Sequence, residues 1–371
     1  MSPFTERAQR ITRLAPLREI FTQLDALATP VAAREIDLAS AIGRVLAADV
    51  RSPAASPPKS IALRDGWAVR AELVADAGPY APVPLLAPAW VETGTFMPAD
   101  TDAVLLPDAV TMNAGRAEAV AAAVAGEGVQ PAAADAAADF VLRRAGERLR
   151  RTDLAILRAA GLSRVHVRVP HVRVALANAI AETKDTVSPL VGGIVEAAGG
   201  TAVFDRAMPL ERALTDGMDV VIGIGGTGTG RSDTSVQTLA RLGRVAVHGM
   251  AISPGDAAAL GDVDGRAVLL LPGRLDAALA ALLLIGGPLL ARLAGASEDE
   301  PRSLVTLKRK IASSIGLAEV VPVRRVDGGV EPLASSPIPW HALTRADGWI
   351  LVPAESEGFP AGSAVEMRVL P

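Results

Sequence analysis

Apolar residues recur every three or four positions in residues 16–29, where Leu17, Ile20, Phe21, Leu24 and Leu27 share one face. That spacing predicts an amphipathic helix. Residues 36–48, IDLASAIGRVLAA, predict a second one. Between residues 53 and 107 the texture changes: prolines recur between short apolar runs, as in a small β-rich module. Residues 111–139 are dominated by alanine and fit a weak helix, a strand pair or a connection. A helix resumes at TDLAILRAAG (152–161), with Thr152 as N-cap, and residues 165–169 alternate like a strand.

From residue 172 the pattern becomes strand, helix, strand, helix. VRVALANAI, TAVFDRAMP, MDVVIGIGG and AVLLLPG read as strands. VSPLVGGIVEAAGG, ERALTDG, SVQTLARLG and the run from Asp276 read as helices, the first ending on Gly199 and Gly200. Apolar strands alternating with helices predict a parallel sheet covered on both faces. A charged linker, SEDEPRS (297–303), then leads to β-like runs between residues 303 and 371. Turn signals lie at Asp327-Gly328-Gly329 and Asp347-Gly348.

Length and composition narrow the picture. The chain has 371 residues, too many for one core, and predicts several domains. The expected division has a mixed N-terminal domain (1–50 and 140–168) split by an inserted β-rich domain (51–139). An α/β domain (169–297) and a C-terminal β-barrel-like domain (298–371) follow. A net charge of −4 argues against a general nucleic-acid binder. The absence of cysteine excludes disulfides and thiolate metal sites, and with 4 histidines a His-rich metal site is not expected. The most apolar segment, 277–293, is interrupted by Gly286, Gly287 and Pro288. It falls short of the ~20 residues a membrane span needs and predicts a buried helix. The N-terminal residues do not form a signal peptide, and the expected location is cytoplasmic.

The candidate chemistry lies in VVIGIGGTGTGRSDTS (220–235). The stretch follows a strand and precedes a helix, the context of an anion site built from backbone N–H groups. Three patterns compete. Gly223, Gly225 and Gly228 match G-x-G-x-x-G, but the strand does not open its domain and no ribose-binding acid follows at the right distance. A Walker loop would need lysine where Arg231 stands. The third pattern is a double-glycine loop, from Gly226, ending in Asp233.

The third pattern gains weight from its neighbours: SPGDAAALG (253–261) and then LPGR (271–274). This order resembles the molybdopterin molybdotransferase family, bacterial MoeA and the E domain of gephyrin, with its GG-x-S-x-G-x-x-D, K-P-G-K-P and L-P-G-N-P. PPKSIALRDGWAVRAE and ETGTFMPADTDAVLLPD are similar to that family's inserted domain, and residues 311–328 and 346–370 to its last domain. The resemblance covers nearly the whole chain and identifies it as a divergent member. The fold it implies is multidomain α/β: a three-layer molybdopterin-binding-like domain, an inserted β domain, a mixed N-terminal domain and a C-terminal β-barrel-like domain.

Departures fall on the motifs. NAIAETKD replaces the family's T-G-D-E-L, Ser253-PGDA lacks both lysines of K-P-G-K-P, Arg274 takes the Asn place of L-P-G-N-P, and Arg64 the Met place before Asp65. Gly228 or Thr229 stands at the glycine loop's Ser. Arg231 and Lys184 are candidate replacements for the lysines.

The resemblance implies binding of molybdopterin or adenylylated molybdopterin, insertion of molybdate with AMP release, Mg²⁺, and a homodimer with a site shared between chains. It assigns Asp65, Asp233 and Thr93 to catalysis. It assigns Gly225, Gly226, Gly228, Gly230, Ser232, Pro272, Gly273 and Arg274 to substrate binding. No residues are assigned as metal ligands. Local chemistry leaves other roles open: Asp233 as an N-cap, Asp65 and Thr93 as turn residues, Arg274 as a solvated arginine, His248 as structural. Two other functions are compatible with the altered motifs. One is a non-catalytic carrier that hands the pterin or finished cofactor to a molybdoenzyme. The other is a scaffold using the same fold.

Overall fold

The structure, a computed structural model, describes residues 9–177, 185–297 and 302–370. The chain forms two compact units: Met1–Ala48 with Ala145–Arg151 and Arg164–Pro371, and Asp49–Arg144 with Thr152–Ser163.

The first unit is organised by a six-stranded sheet in the order Thr201–Phe204, His171–Leu176, Val220–Ile224, Arg266–Leu271, Ala259–Val263, Arg244–His248. The first four strands are parallel. Ala259–Val263 pairs antiparallel with both its neighbours and alone runs against the other strands, so the sheet is mixed where strand–helix alternation predicts a parallel one. The cause is a two-residue connection: Asp264 (φ 52°) and Gly265 (φ 76°) both adopt left-handed backbone and fold Ala259–Val263 directly back onto Arg266–Leu271. Asp-Gly suits such a turn, since both central residues need positive φ.

Successive residues of the central strands point to opposite faces. Ile222, Ile224, Leu269 and Leu271 pack with Leu282, Ile285 and Leu289 of the long helix Leu275–Ala294. Val221, Val268 and Leu270 pack on the other face with Leu210, Leu214 and Leu239. This three-layer arrangement explains the continuous apolar strands. The long helix, at 20 residues and mean hydropathy 1.9, has the length and composition of a membrane span, yet 78% of its most apolar window is buried within the protein.

A second sheet in this unit orders Ile252–Ser253, Ala318–Val326, Gly348–Val352, Ala364–Val369 and Arg302–Thr306. Ile252–Ser253 thus joins the SPGD loop to the C-terminal strands, parallel to Ala318 and Glu319.

The N-terminal helix is observed at Leu17–Leu27. The helix expected over 36–48 is absent. Arg34–Asp37 and Val45–Leu46 are strands that pair either side of Arg164–Arg168. Gly43, at φ 74°, turns the chain between them, and Val45 and Leu46 are fully buried. Strand pairing with a partner over a hundred residues away overrides the local helical pattern. The helix Arg151–Ala159 starts one residue early, so Thr152 lies inside it and is not the cap.

Apart from that helix, the second unit is built mainly of short strands, as its prolines predict. Gly66–Val69 lies between Ala89–Val91 and Ala103–Leu105. The alanine-rich stretch resolves into a hairpin, Val110–Asn113 with Arg116–Ala119, turning on Ala114 and Gly115, which both have positive φ.

Candidate functional site

The strand Val220–Ile224 ends at the carboxyl edge of the sheet, where open α/β sheets bind ligands. Gly225 (φ 86°) and Gly226 (φ 67°) then take left-handed backbone. These two residues reverse the chain. Gly228 and Gly230 have no positive φ, so backbone conformation is not what demands glycine there. A Cβ at 228 or 230 would meet Asp233 Oδ2 at 2.8 or 2.9 Å, a contact that a turn of that side chain relieves.

Four residues hold the loop. Gly225 N–H donates to Leu271 O (2.8 Å), joining it to the neighbouring strand. Ser235 Oγ, buried, donates to Gly225 O (2.8 Å). Gln9 Nε2 donates to Gly226 O (2.8 Å) and Gly228 O (2.6 Å). His248 Nε2 lies 2.9 Å from Thr227 O. The carbonyls of residues 225–228 are thus all engaged.

Asp233 does not cap the following helix. Thr234 is the N-cap, without a side-chain bond, and Asp233 Oδ2 instead accepts the Gly230 N–H at 2.8 Å. It closes the loop on itself.

The loop faces a cleft of about 460 Å³, whose lining includes Gly225, Gly226, Gly228, Asp233, Pro272, Gly273 and Arg274. Seven of the residues singled out from sequence therefore come together. Ser232 and Gly230 are exposed and do not line it, nor does Arg231. Lys184 lies outside the described residues. Asp185 and Asp256, unmarked in the sequence reading, contribute two more carboxylates.

Arg274 is the only arginine or lysine lining the cleft among the described residues. It is already engaged: Nε and Nη2 donate to Asp276 Oδ1 (3.1 Å) and Oδ2 (2.6 Å). That bond holds the Arg274 guanidinium above its ordinary pKa. Burial pushes the Asp276 carboxyl up, but hydrogen bonds from Arg274 and the Ile338 and Ala277 N–H groups outweigh it and leave it below the usual range. Sequence reasoning missed Asp276, although its spacing two residues from Arg274 was a signal. It missed Gln9 for want of one, since that contact spans 217 residues.

In the other unit, Asp65 Oδ1 accepts two bonds from Thr93, from N–H (2.7 Å) and Oγ1 (3.0 Å). These bonds, backbone first, lower the Asp65 pKa. Thr93→Val removes only the hydroxyl, so an NMR titration should find the Asp65 pKa raised part of the way to its ordinary value. A pKa unmoved by the substitution would show the hydroxyl bond to be idle. Arg64, beside it, donates to Val104 O (3.0 Å) and Glu127 (2.9 Å), which places it in the β module's framework.

Three family models match in succession. The MoeA N-terminal region (domains I and II) matches residues 6–161, a probable molybdopterin binding domain residues 176–292, and the MoeA C-terminal region (domain IV) residues 305–370. A Methanocaldococcus jannaschii protein provisionally named for molybdopterin biosynthesis is 26% identical, over 91% of this chain and 92% of its own. The crystal structure of a Pyrococcus molybdopterin biosynthesis MoeA protein is 26% identical, with a TM-score of 0.78, over 97% of this chain and all of its own. A molybdenum cofactor biosynthesis protein from Pyrococcus furiosus, 21% identical, covers 96% of this chain and all of its own, and shares the fold with a TM-score of 0.62.

Proposed function

Because this chain belongs to the MoeA family of molybdenum-cofactor biosynthesis proteins, we propose that it binds molybdopterin, free or adenylylated, by its phosphate end in the glycine-loop cleft. The supporting observation is the loop itself, held from behind by Leu271, Ser235, Gln9 and His248 and opening on the cleft. Such a loop binds phosphate through backbone amides and the start of the next helix.

The cation complement favours a carrier. A transferase must neutralise phosphate and molybdate charge, and among the described residues this cleft offers one arginine, already paired with Asp276. Adenylylated molybdopterin with molybdate and Mg²⁺ separates the readings: the carrier retains its ligand, whereas the molybdotransferase releases AMP. Retention without AMP release is expected, and stoichiometric AMP release would overturn the carrier.

The transferase stays a second reading because of the carboxylates. Among the described residues no three His, Cys, Asp or Glu side chains stand close enough to cage a metal. Asp233 and Asp256 nevertheless line the cleft, and this donor set suits Mg²⁺, which binds through one or two carboxylates, water and ligand phosphates. When bound, the ion would neutralise phosphate charge. A cytoplasmic homodimer is part of the proposal; a monomer by light scattering at micromolar concentration would remove it.

Arg231 is exposed and does not line the cleft. Arg231→Ala should therefore weaken AMP binding about tenfold at most by calorimetry, an exposed charge contact being worth ~1 kcal/mol or less. A complete loss would mean that the loop acts as a cationic clamp.

A further inference from the structure

A second pocket, of about 320 Å³, lies where the SPGD loop meets the C-terminal sheet, lined by Ser253, Ser313, Ser314, Ser335, Ser336 and Glu319 among others. Among the described residues Glu319 is its only charged lining residue, and it is 6% exposed. Ser313 Oγ donates to Glu319 Oε2 (2.6 Å) and Ser336 N–H to Oε1 (3.2 Å). A carboxylate oxygen can accept more than one bond, so each retains capacity for a donor from the pocket. Ser253 is the direct parallel partner of Glu319. A lysine in this place, as in K-P-G-K-P, would stand beside the carboxylate; serine brings no charge to meet it.

Hydroxyls donate or accept equally well and do not select ligand charge. The buried carboxylate does. It repels an oxyanion at close range and favours N–H donors, most strongly a pair of them that meets both oxygens. The pocket also shares the loop 253–257 with the phosphate cleft, since Ser253 lines one and Asp256 and Ala257 the other.

We propose that this pocket is a subsite for an amino-substituted heterocycle, the 2-amino-4-oxo edge of a pterin, and that it excludes molybdate. The inference rests on the molybdopterin-binding reading and extends it: the phosphate end lies at the glycine loop, and the ring presents its exocyclic amine and adjacent ring N–H to Glu319.

The probe is unsubstituted 2-amino-4-oxopteridine, titrated into the full chain by its own fluorescence. Saturable binding is expected, undisturbed by millimolar molybdate. Glu319→Gln should weaken it about tenfold or more, the scale of a charge-assisted bond. Ser253→Lys should do likewise by pairing with Glu319, and this part-exposed site decides the matter where Glu319→Gln fails to fold. AMP affinity, which reports on the glycine loop, should stay unchanged in both variants. Pterin binding indifferent to both substitutions, absent from wild type, or displaced by molybdate would overturn the proposal. Wild-type protein that binds pterin but not AMP would overturn the phosphate-cleft reading alone.

Discussion

Valine at position 226 should destabilise the protein by about 2–5 kcal/mol and abolish measurable AMP binding. Two costs combine. Gly226 holds φ 67°, which a β-branched residue adopts only at roughly 1–3 kcal/mol. Its Cβ would also lie 2.5 Å from Ser235 Oγ and 3.3 Å from Ala177 Cβ. The serine must move, and its buried bond to Gly225 O is lost at about 1–2 kcal/mol more. Ser235 N–H also bonds Gly226 O at 3.0 Å, so the start of the helix shifts with the loop. Gly230→Ala is the contrasting variant: φ is not positive there, the position is exposed, and its Cβ would meet only the end of the Asp233 side chain, at 2.9 Å. Urea unfolding with an unchanged m-value would measure the difference. A Gly226→Val protein within about 0.5 kcal/mol of wild type would mean that the loop is not held as described.

The legibility of the sequence varied with the range of the contacts. The glycine loop was readable because its determinants are local: a buried strand, glycines, an acid and a helix within sixteen residues. The long helix was readable as a continuous apolar run, although at 20 residues it is longer than the segment 277–293 read from the sequence. Residues 36–48 misled because their pattern fits a helix, while the pairing that makes them strands comes from Arg164–Arg168. The antiparallel strand of the sheet was missed although Asp264-Gly265 signals a hairpin; alternation with helices took precedence over turn chemistry. In the site, the glycines stood out, but the groups that brace them did not. Gln9, Ser235 and His248 act through one or two bonds to carbonyl oxygens, and no motif marks such a role. The contact between position 228 and Asp233 was likewise hidden, being a fact of packing and not of the dipeptide.

Asp276→Ala should move stability and phosphate affinity in opposite directions. The carboxylate, 6% exposed, accepts both Arg274 bonds and the N–H of Ile338 at 3.0 Å. Ile338 is itself buried, so alanine leaves its N–H without that partner, at about 1–3 kcal/mol. The arginine bonds add less, because the Arg274 side chain is 64% exposed and solvent screens it. A net loss of about 2–3 kcal/mol is expected. The pH dependence has a defined sign. The folded-state pKa of Asp276 is lowered, so its contribution is fully present above the ordinary carboxyl value of about 4 and is lost as pH falls through the lower folded value. The variant should therefore show a flatter stability profile below about pH 4. Binding should respond the other way. Arg274 lines the phosphate cleft, and freeing its guanidinium gives the cleft an unpaired cation, worth up to about tenfold in AMP affinity. Thermal unfolding between pH 3 and 7, with AMP calorimetry at pH 7, reads both effects. Lower stability with tighter binding would establish that the pair withholds Arg274 from the ligand. Weaker binding would instead make the paired arginine the group that grips phosphate, and the argument for a carrier built on its neutralisation would fail.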